Sequence, residues 1–333
     1  MVAATSAYTR VFLQTLASFA FSLWCCGASL ECATNAEGQS LLQRNVERTS
    51  LESAPAEDEA RERVQFMELQ NDSLCDEYDQ RLISVLATIT VASKEDLQDI
   101  SYVAELIRQV GLVEDFRPLY GNESVYQLHV HGNRTLAKGI GSAGMYQLPA
   151  QMACALVSLS ELNITTFLEV GIYTGWTGVF MSAYLSRFNQ GFQSVGVDIV
   201  DFQSNCVKVA MSVMNRKYVE ISQDEVDGAA ELVNVANGLR KNETHVDLCF
   251  IDGDHSYDGV HHDVETLHSS CKYVMLHDVV DRDCPGVRQQ WAELIDDNAT
   301  QVVARCFQQP SGLNGTYANT YSLGIGVAQL ALS

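Results

Sequence analysis

From residue 164 onward, short apolar segments alternate with segments of helical periodicity, and this alternation limits the fold more than any other feature of the chain. Seven segments have the composition of β-strands: Thr165–Val170, Ser194–Ile199, Tyr218–Ser222, Val246–Asp252, Tyr273–Leu276, Val302–Gln308 and Tyr321–Ala328. Several are continuous apolar runs, as in parallel sheets whose two faces are covered by helices. The alternation therefore predicts an α/β fold with a doubly wound, seven-stranded sheet.

The chain before this sheet is predicted to be an N-terminal extension of different character. Two stretches, about 78–92 and 95–110, carry apolar residues at helical spacing. The stretch before them is polar and has little periodicity, apart from a segment around Glu57–Leu69 that fits a helix. The sequence therefore predicts four parts: residues 1–29, a signal peptide or signal anchor; 30–75, a disordered linker; 76–145, a helical lid on the substrate side; and 146–333, the main domain.

The first 30 residues have the pattern of a secretory targeting segment. Arg10 precedes a run without charges from Val11 to Leu30, and the small residues 27–29 offer a cleavage site. The run is also long enough for an uncleaved anchor, which would make the protein a type II membrane protein. The sequence predicts a lumenal or secreted protein and leaves cleavage or anchoring open.

Sequons and cysteines agree with that prediction. Seven asparagines begin Asn-x-Ser/Thr motifs, as in a glycoprotein: Asn71, Asn122, Asn133, Asn163, Asn242, Asn298 and Asn314. The chain has ten cysteines, which suit an oxidising lumen where disulfides persist. Cys154 and Cys249 lie in apolar runs and fit equally well as small buried residues. The sequence does not give the pairing.

The charge of the chain argues against a polyanionic partner. The chain has 42 acidic and 21 basic residues, a formal net charge of −21, and no Lys/Arg cluster. Proteins that bind nucleic acid carry a basic footprint. We therefore expect a small-molecule ligand, no nucleic acid, and no membrane contact beyond the N-terminal anchor considered above.

A glycine-containing turn follows the first predicted strand. Gly171 and Gly175 lack Cβ atoms where the backbone would approach a ligand, and a new helix then begins with free N–H groups. Asp198 ends the second strand, 27 residues after Gly171, and a carboxylate there can accept both ribose hydroxyls of a nucleoside. The alternative is that Asp198 caps a helix. The pattern predicts a nucleotide-like ligand at this edge of the sheet.

Three carboxylates follow the fourth and fifth strands. Asp252 and Asp254 end the fourth strand and Asp278 ends the fifth, so neighbouring strands would bring them close together. Because clustered carboxylates repel one another, a hard divalent cation such as Mg²⁺ is their expected guest. In the alternative interpretation, Asp254 caps the next helix and does not bind the ion.

Two segments carry a specific resemblance. Leu168–Thr177 (Leu-Glu-Val-Gly-Ile-Tyr-Thr-Gly-Trp-Thr) resembles motif I of the class I S-adenosylmethionine (SAM)-dependent methyltransferases. Phe250–Glu265 resembles the signature of a small-molecule O-methyltransferase family that includes macrolide-sugar enzymes, and the chain is also similar to catechol O-methyltransferases. This resemblance implies a Rossmann-like methyltransferase sheet in residues 146–333.

The resemblance also implies roles for individual residues. The SAM-binding residues would be Glu169, Gly171, Tyr173, Gly175 and Thr177 around the methionine end, Asp198 at the ribose, Ser222 and Gln223 at the adenine, and Asp252. His255 stands where catechol-type enzymes have a Lys base, and Val279 stands where they have an Asn metal ligand.

We therefore expect an O-methyltransferase that acts on a hydroxyl of a small molecule or sugar. His255 and Asp252 would be catalytic, and Asp252, Asp254 and Asp278 would hold a cation. The alternative is a non-catalytic lumenal binding protein that keeps the fold, because a fold does not by itself determine function.

Overall fold

The computed structural model contains the predicted seven-stranded sheet. It describes residues 55–69, 75–76, 78–111, 144–145, 147–223, 225–240, 244–297, 300–307 and 323–331. The strands are β1 (Thr166–Val170), β2 (Gln193–Asp198), β3 (Arg216–Glu220), β4 (Val246–Ile251), β5 (Cys271–His277), β6 (Gln301–Cys306) and β7 (Ile325–Gln329). Their order is β3-β2-β1-β4-β5-β7-β6. The prediction of an α/β fold with a doubly wound, seven-stranded sheet is confirmed.

Helices connect the strands and form the extension before them. They are α1 (Pro55–Leu69), α2 (Asp79–Ile89), α3 (Lys94–Leu97), α4 (Ile100–Val110), α5 (Pro149–Ser160), α6 (Trp176–Ser186), α7 (Asn205–Val213), α8 (Glu225–Arg240), α9 (Tyr257–His268) and α10 (Pro285–Asp296). None of the helices described by the structure is long and apolar enough to cross a membrane.

The topology places a crevice beyond the carboxyl end of β1. Strands β1 to β5 run parallel, whereas β7 is antiparallel to both β5 and β6. β1 pairs with β2 on one side and with β4 on the other, so the connections leave β1 in opposite directions. Ligands of open α/β sheets bind at such a switch point.

Helix α6 is the centre of one face of the protein. Nine of its eleven residues are buried, because the sheet covers one side of the helix and the N-terminal helices cover the other. Trp176, Phe180 and Tyr184 are its largest fully buried side chains. A helix that is apolar all round requires such enclosure. The extension is therefore part of the hydrophobic core and not an appended module.

The described part of the extension contacts the C-terminal end of α6, and the expected lid over the crevice stays a prediction. Tyr184 donates its hydroxyl proton to the carbonyl of Leu97 at 2.6 Å, and Arg187 donates to the carbonyl of Ala92 at 3.1 Å. Both contacts lie at the C-terminal end of α6, away from the glycine turn that precedes it. The predicted lid segment 112–143 lies outside the described residues.

The predicted disordered linker also contains ordered structure. The helix expected around Glu57–Leu69 is present as α1, and its Phe66 is fully buried against the core. Burial of an aromatic side chain of this size supplies about 2–3 kcal/mol of favourable transfer free energy. Residues 30–75 are mostly polar, so the sequence did not indicate that Phe66 would be buried.

Three disulfides cross-link the fold. Cys75 pairs with Cys206, Cys154 with Cys306, and Cys249 with Cys271, with Cα–Cα distances of 5.0, 5.8 and 6.0 Å. The first joins the extension to α7, and the second joins α5 to β6. Cys154 and Cys249, which the sequence left open as small buried residues, are thus bonded. Among the described cysteines, Cys284 is free.

A buried ion pair lies beneath α6. Glu169 of β1 and Arg216 of β3 form a salt bridge, and their side chains are 1% and 0% exposed. The guanidinium fits because Gly178 and Gly196 have no side chain; a Cβ on either would lie within 2.5 Å of it. Burial raises the pKa of Glu169, and the guanidinium opposes that rise.

This ion pair gives Glu169 a contact that the sequence did not predict. Its carboxylate pairs with Arg216 inside the core, and its expected part in SAM binding stays a prediction. The partner is 47 residues away in sequence and on a strand two positions from β1. The sequence offers no local signal for such a contact.

We expect substitutions of Glu169 and Arg216 to have strongly coupled effects on the free energy of unfolding. Arg216→Met leaves a buried carboxylate unpaired and should lower the free energy of unfolding by about 3–5 kcal/mol. The double variant Glu169→Leu/Arg216→Met should recover most of that loss, because no charge remains buried. Urea unfolding of the four proteins in this double-mutant cycle measures the coupling. Additive single and double effects would contradict it.

The stability of the extension should depend on pH through Asp79. This residue starts α2, is 4% exposed, and burial raises its pKa to about 7. In the unfolded chain Asp ionises near pH 4. The folded protein therefore keeps a proton that the unfolded chain releases, and stability should fall as pH rises from about 4 to about 7.

Asp79→Asn should remove this dependence and stabilise the protein above neutral pH by roughly 1–3 kcal/mol. Urea unfolding at about pH 5 and about pH 8, with the disulfides intact, measures the difference. Asp96→Asn is the control, since Asp96 is an exposed residue of α3. Equal pH slopes in wild type and Asp79→Asn would refute the assignment.

Candidate active site

The turn after β1 packs directly on the end of β4. Gly171 has a φ of +80°, and a Cβ at this position would lie 2.5 Å from the carbonyl oxygen of Asp252 and from the Cα of Gly253. Only glycine permits this approach. Tyr173 and Gly175 also have positive φ values of 48° and 81°, which turn the chain into α6. The predicted ligand turn and the predicted acid–base residues are therefore in contact.

Asp198 holds this turn from the other side. Its Oδ2 accepts the N–H groups of Ile172 at 2.9 Å and Tyr173 at 2.8 Å, and its Oδ1 accepts that of Val200 at 3.3 Å. Burial raises the pKa of Asp198, and these hydrogen bonds oppose the rise. The alternative role as a helix cap is wrong, because Ser204 caps α7. Asp198 lies at the turn, as predicted.

Thr177 and Asp252 are linked through a residue that the sequence did not indicate. The Thr177 hydroxyl donates to Gln147 Oε1 at 2.6 Å, and Gln147 Nε2 donates to Asp252 Oδ2 at 3.0 Å. Gln147 is 3% exposed and lies just before α5, 105 residues from Asp252. No motif contains it. This bridge fixes one oxygen of Asp252 and leaves the other facing the histidines.

Four ionisable side chains meet where β4 and β5 end. His255 Nε2 lies 3.5 Å from Asp252 Oδ1 and 3.5 Å from Asp278 Oδ2. His277 Nδ1 lies 3.4 Å from Asp252 Oδ1 and 3.1 Å from Asp278 Oδ1. The pairing of β4 with β5 brings them together, as predicted. Each carboxylate thus faces two imidazoles.

His277 was missed because residues 277 and 278 of an extended strand would point to opposite faces. Asp278 has a φ of 59°, in the left-handed region that Asp tolerates. This change of backbone direction lets both side chains approach Asp252. The sequence signal available was only that His277 and Asp278 are adjacent at a strand end.

The carboxylates and imidazoles stabilise one another's charged forms. Burial lowers the pKa of His277, but Asp278 and Asp252 outweigh it and raise the pKa to about 10. Burial likewise lowers the pKa of His255, yet Asp252, Cys284 and Asp278 raise it well above its usual value. Burial raises the pKa of Asp252, and the two histidines hold it well below its usual range.

Asp254 does not join this cluster. It is exposed, and its Oδ1 accepts the N–H of Ser256 at 2.8 Å; Ser256 in turn caps α9 by accepting the N–H of Gly259 at 3.1 Å. The alternative interpretation, in which Asp254 caps the next helix, is wrong, because Ser256 is the cap. The structure does not bring Asp254 together with Asp252 and Asp278, and its local hydrogen bond orients the carboxylate to the turn.

The expected adenine side is more open. Ser222 donates its backbone N–H to Glu231 at 2.6 Å, and Gln223 is exposed at the end of β3. Beside them, the rings of Tyr173 and Phe202 lie 5.8 Å apart at a tilted angle of 55°. Phe202 was not singled out from the sequence, and the aromatic pair forms an apolar wall next to Asp198.

Comparisons with known proteins agree with this geometry. Residues 168–279 match the family model described as "Methyltransferase domain". Among solved structures, an O-methyltransferase from Bacillus cereus in complex with SAH is similar, with 13% identity, 69% of this chain and 100% of that chain covered, and a TM-score of 0.41. The O-methyltransferase TomG from Streptomyces achromogenes, in complex with SAM, has 14% identity, coverages of 63% and 91%, and a TM-score of 0.39. No curated protein sequence matches this chain.

The matched segment contains the glycine turn, Asp198 and the whole cluster at the ends of β4 and β5. Over residues 168–279 the chain is therefore similar to methyltransferase domains, in line with the resemblance that the sequence motifs carry.

Proposed function

We propose that the protein is a SAM-dependent O-methyltransferase that acts on a hydroxyl of a small molecule or sugar. The observation that carries the proposal is the contact between the glycine turn at Gly171 and the loop of Asp252 and His255. A methyl donor held at the turn would lie beside a base at the end of β4. Methyl transfer requires this proximity of donor and deprotonating group.

The turn suits the donor that the family uses. Gly171, Tyr173 and Gly175 shape the loop, and Thr177 lies in the first turn of α6. The hydrogen bond from Val200 N–H to Asp198 Oδ1 is long, at 3.3 Å, and a carboxylate oxygen has two lone pairs, so this oxygen retains capacity to accept a ribose hydroxyl. Ser222 and Gln223 lie at the next strand end, on the adenine side. When bound, SAM supplies the methyl group from its sulfonium centre. After the transfer, the rest of SAM leaves as a neutral thioether.

His255 is the proposed general base. Its side chain is 43% exposed, so an acceptor hydroxyl can reach it from the crevice. Because the pKa of His255 is raised, its neutral form becomes more populated as pH rises, and this form takes the hydroxyl proton while the oxygen bonds to the methyl carbon and the carbon–sulfur bond breaks. Asp252 and Asp278 stabilise the imidazolium that forms, which makes His255 a stronger proton acceptor. Gln147 and His277 orient Asp252 for this role.

The residues present do not fit Mg²⁺. This ion prefers six oxygen ligands. Here Asp254 is turned to its own loop, Val279 offers no side-chain oxygen, and His277 Nδ1 occupies the space between the two carboxylates. We therefore propose methyl transfer in which the imidazoles of His255 and His277, and not Mg²⁺, balance the carboxylates.

We further propose that the protein works in the lumen of the secretory pathway or outside the cell, with a type II anchored form as the alternative. Three disulfides support an oxidising compartment. The sequon at Asn163 is exposed between α5 and β1, where a glycan can be attached. The N-terminal targeting pattern is consistent with both observations.

SAM binding tests the cofactor part of the proposal. We expect one SAM per chain by calorimetry, and Asp198→Asn should weaken binding by about tenfold or more through loss of a charged acceptor. Asp201→Asn is the matched control, since Asp201 lies on the same loop but pairs with Lys208. Absence of SAM binding in the wild type would favour the non-catalytic binding protein.

The role of His255 is tested separately. His255→Gln should bind SAM within about twofold of wild type but form S-adenosylhomocysteine about 10²–10⁴ times more slowly with an accepted hydroxyl compound. A library of sugar and phenolic hydroxyls provides the acceptors, and His261→Gln on α9 is the control. An unchanged rate in His255→Gln would show that another group accepts the proton.

A further inference from the structure

The side chains around Asp278 offer a donor set unlike that of a magnesium site. Cys284 Sγ lies 3.5 Å from His255 Nδ1 and 3.7 Å from Asp278 Oδ2. Each of these three residues offers one ligand atom, and the three atoms lie within 4.8 Å of one another. The set therefore combines a thiol, an imidazole and a carboxylate.

The two distances from Cys284 Sγ match edges of a tetrahedral site, and the third pair of ligand atoms lies within 4.8 Å. Ligands at typical Zn–S, Zn–N and Zn–O bond lengths are roughly 3.3–3.7 Å apart. Thiolate and imidazole ligands select zinc-like cations over Mg²⁺ and Ca²⁺. Three protein ligands leave a fourth position open to the crevice.

The surroundings complete such a site. Asp278 is 4% exposed, whereas His255 is partly exposed and Cys284 is half-buried, so a hydrated ion can enter from the crevice. His277 is 4% exposed and contacts Asp278 through its Nδ1.

We propose that His255, Asp278 and Cys284 bind one borderline-soft divalent cation of the zinc class. Asp252 and His277 lie beside these ligands and hold Asp278 and His255 in place. A cation on Nδ1 of His255 leaves its Nε2 protonated, so the imidazole no longer accepts a proton. Zinc therefore inhibits methyl transfer, a consequence that rests on the proposed function, whereas the binding itself does not.

Cobalt(II) and zinc titrations of the untagged full chain, freed of metal and with its disulfides intact, test the site. We expect one Co²⁺ per chain with a near-ultraviolet thiolate-to-cobalt absorption band. Cys284→Ser should abolish the band and weaken Zn²⁺ binding by about tenfold or more, and His255→Gln should weaken it similarly. His261→Gln, whose imidazole pairs with Gln290, should change neither signal.

Circular dichroism establishes that each variant is folded. Alkylation of Cys284 in the wild-type protein gives a second test that needs no substitution. Zinc binding of equal strength in Cys284→Ser, cobalt binding without the thiolate band, or stoichiometric binding of Mg²⁺ in place of Zn²⁺ would overturn the proposal. SAM binding is measured on the same samples. Its absence would refute the methyltransferase proposal and leave the metal result standing.

Discussion

The site depends on the close packing of Gly171 against Asp252 and Gly253. β1 and β4 are neighbours at the switch point of the sheet, so the turn that follows one strand meets the loop that follows the other. Any side chain at Gly171 would separate them. Asp252 in this loop also accepts a hydrogen bond from Gln147, which accepts one from Thr177. These two hydrogen bonds link the loop to α6. Backbone packing thus fixes the distance between the ligand turn and the acid–base cluster.

Charge balance explains the remaining chemistry of the site. The chain carries a large excess of acid, yet three buried carboxylates at the sheet are paired with basic side chains: Glu169 with Arg216, and Asp252 and Asp278 with two histidines. An unpaired buried carboxylate is costly, so the basic partner cannot be removed alone without a loss of stability. Because histidines and not additional oxygens balance Asp252 and Asp278, the crevice offers nitrogen and sulphur donors where an oxygen cage was expected.

The sequence predicted the features whose signals are local or periodic. Strand periodicity gave the sheet, and the positions of Asp198, Asp252, His255 and Asp278 at strand ends followed from it. The sequence could not predict contacts between distant segments. Gln147 reaches Asp252 from a different element, Arg216 reaches Glu169 across the sheet, and the disulfide partners are up to 152 residues apart. These contacts depend on packing distances that no single motif encodes.

Asp254 and His277 show how local bonding decides the composition of such a cluster. The number of carboxylates at the strand ends suggested that Asp254 would join the cluster. An Asp two residues before a helix cap can instead accept a nearby backbone N–H, and this hydrogen bond, together with solvent, satisfies its carboxylate. Adding a third negative charge to a buried pair would also raise its electrostatic energy. His277 enters instead, because the left-handed φ of Asp278 turns the strand end toward Asp252. A single backbone angle therefore decides which side chain of the strand end joins Asp252.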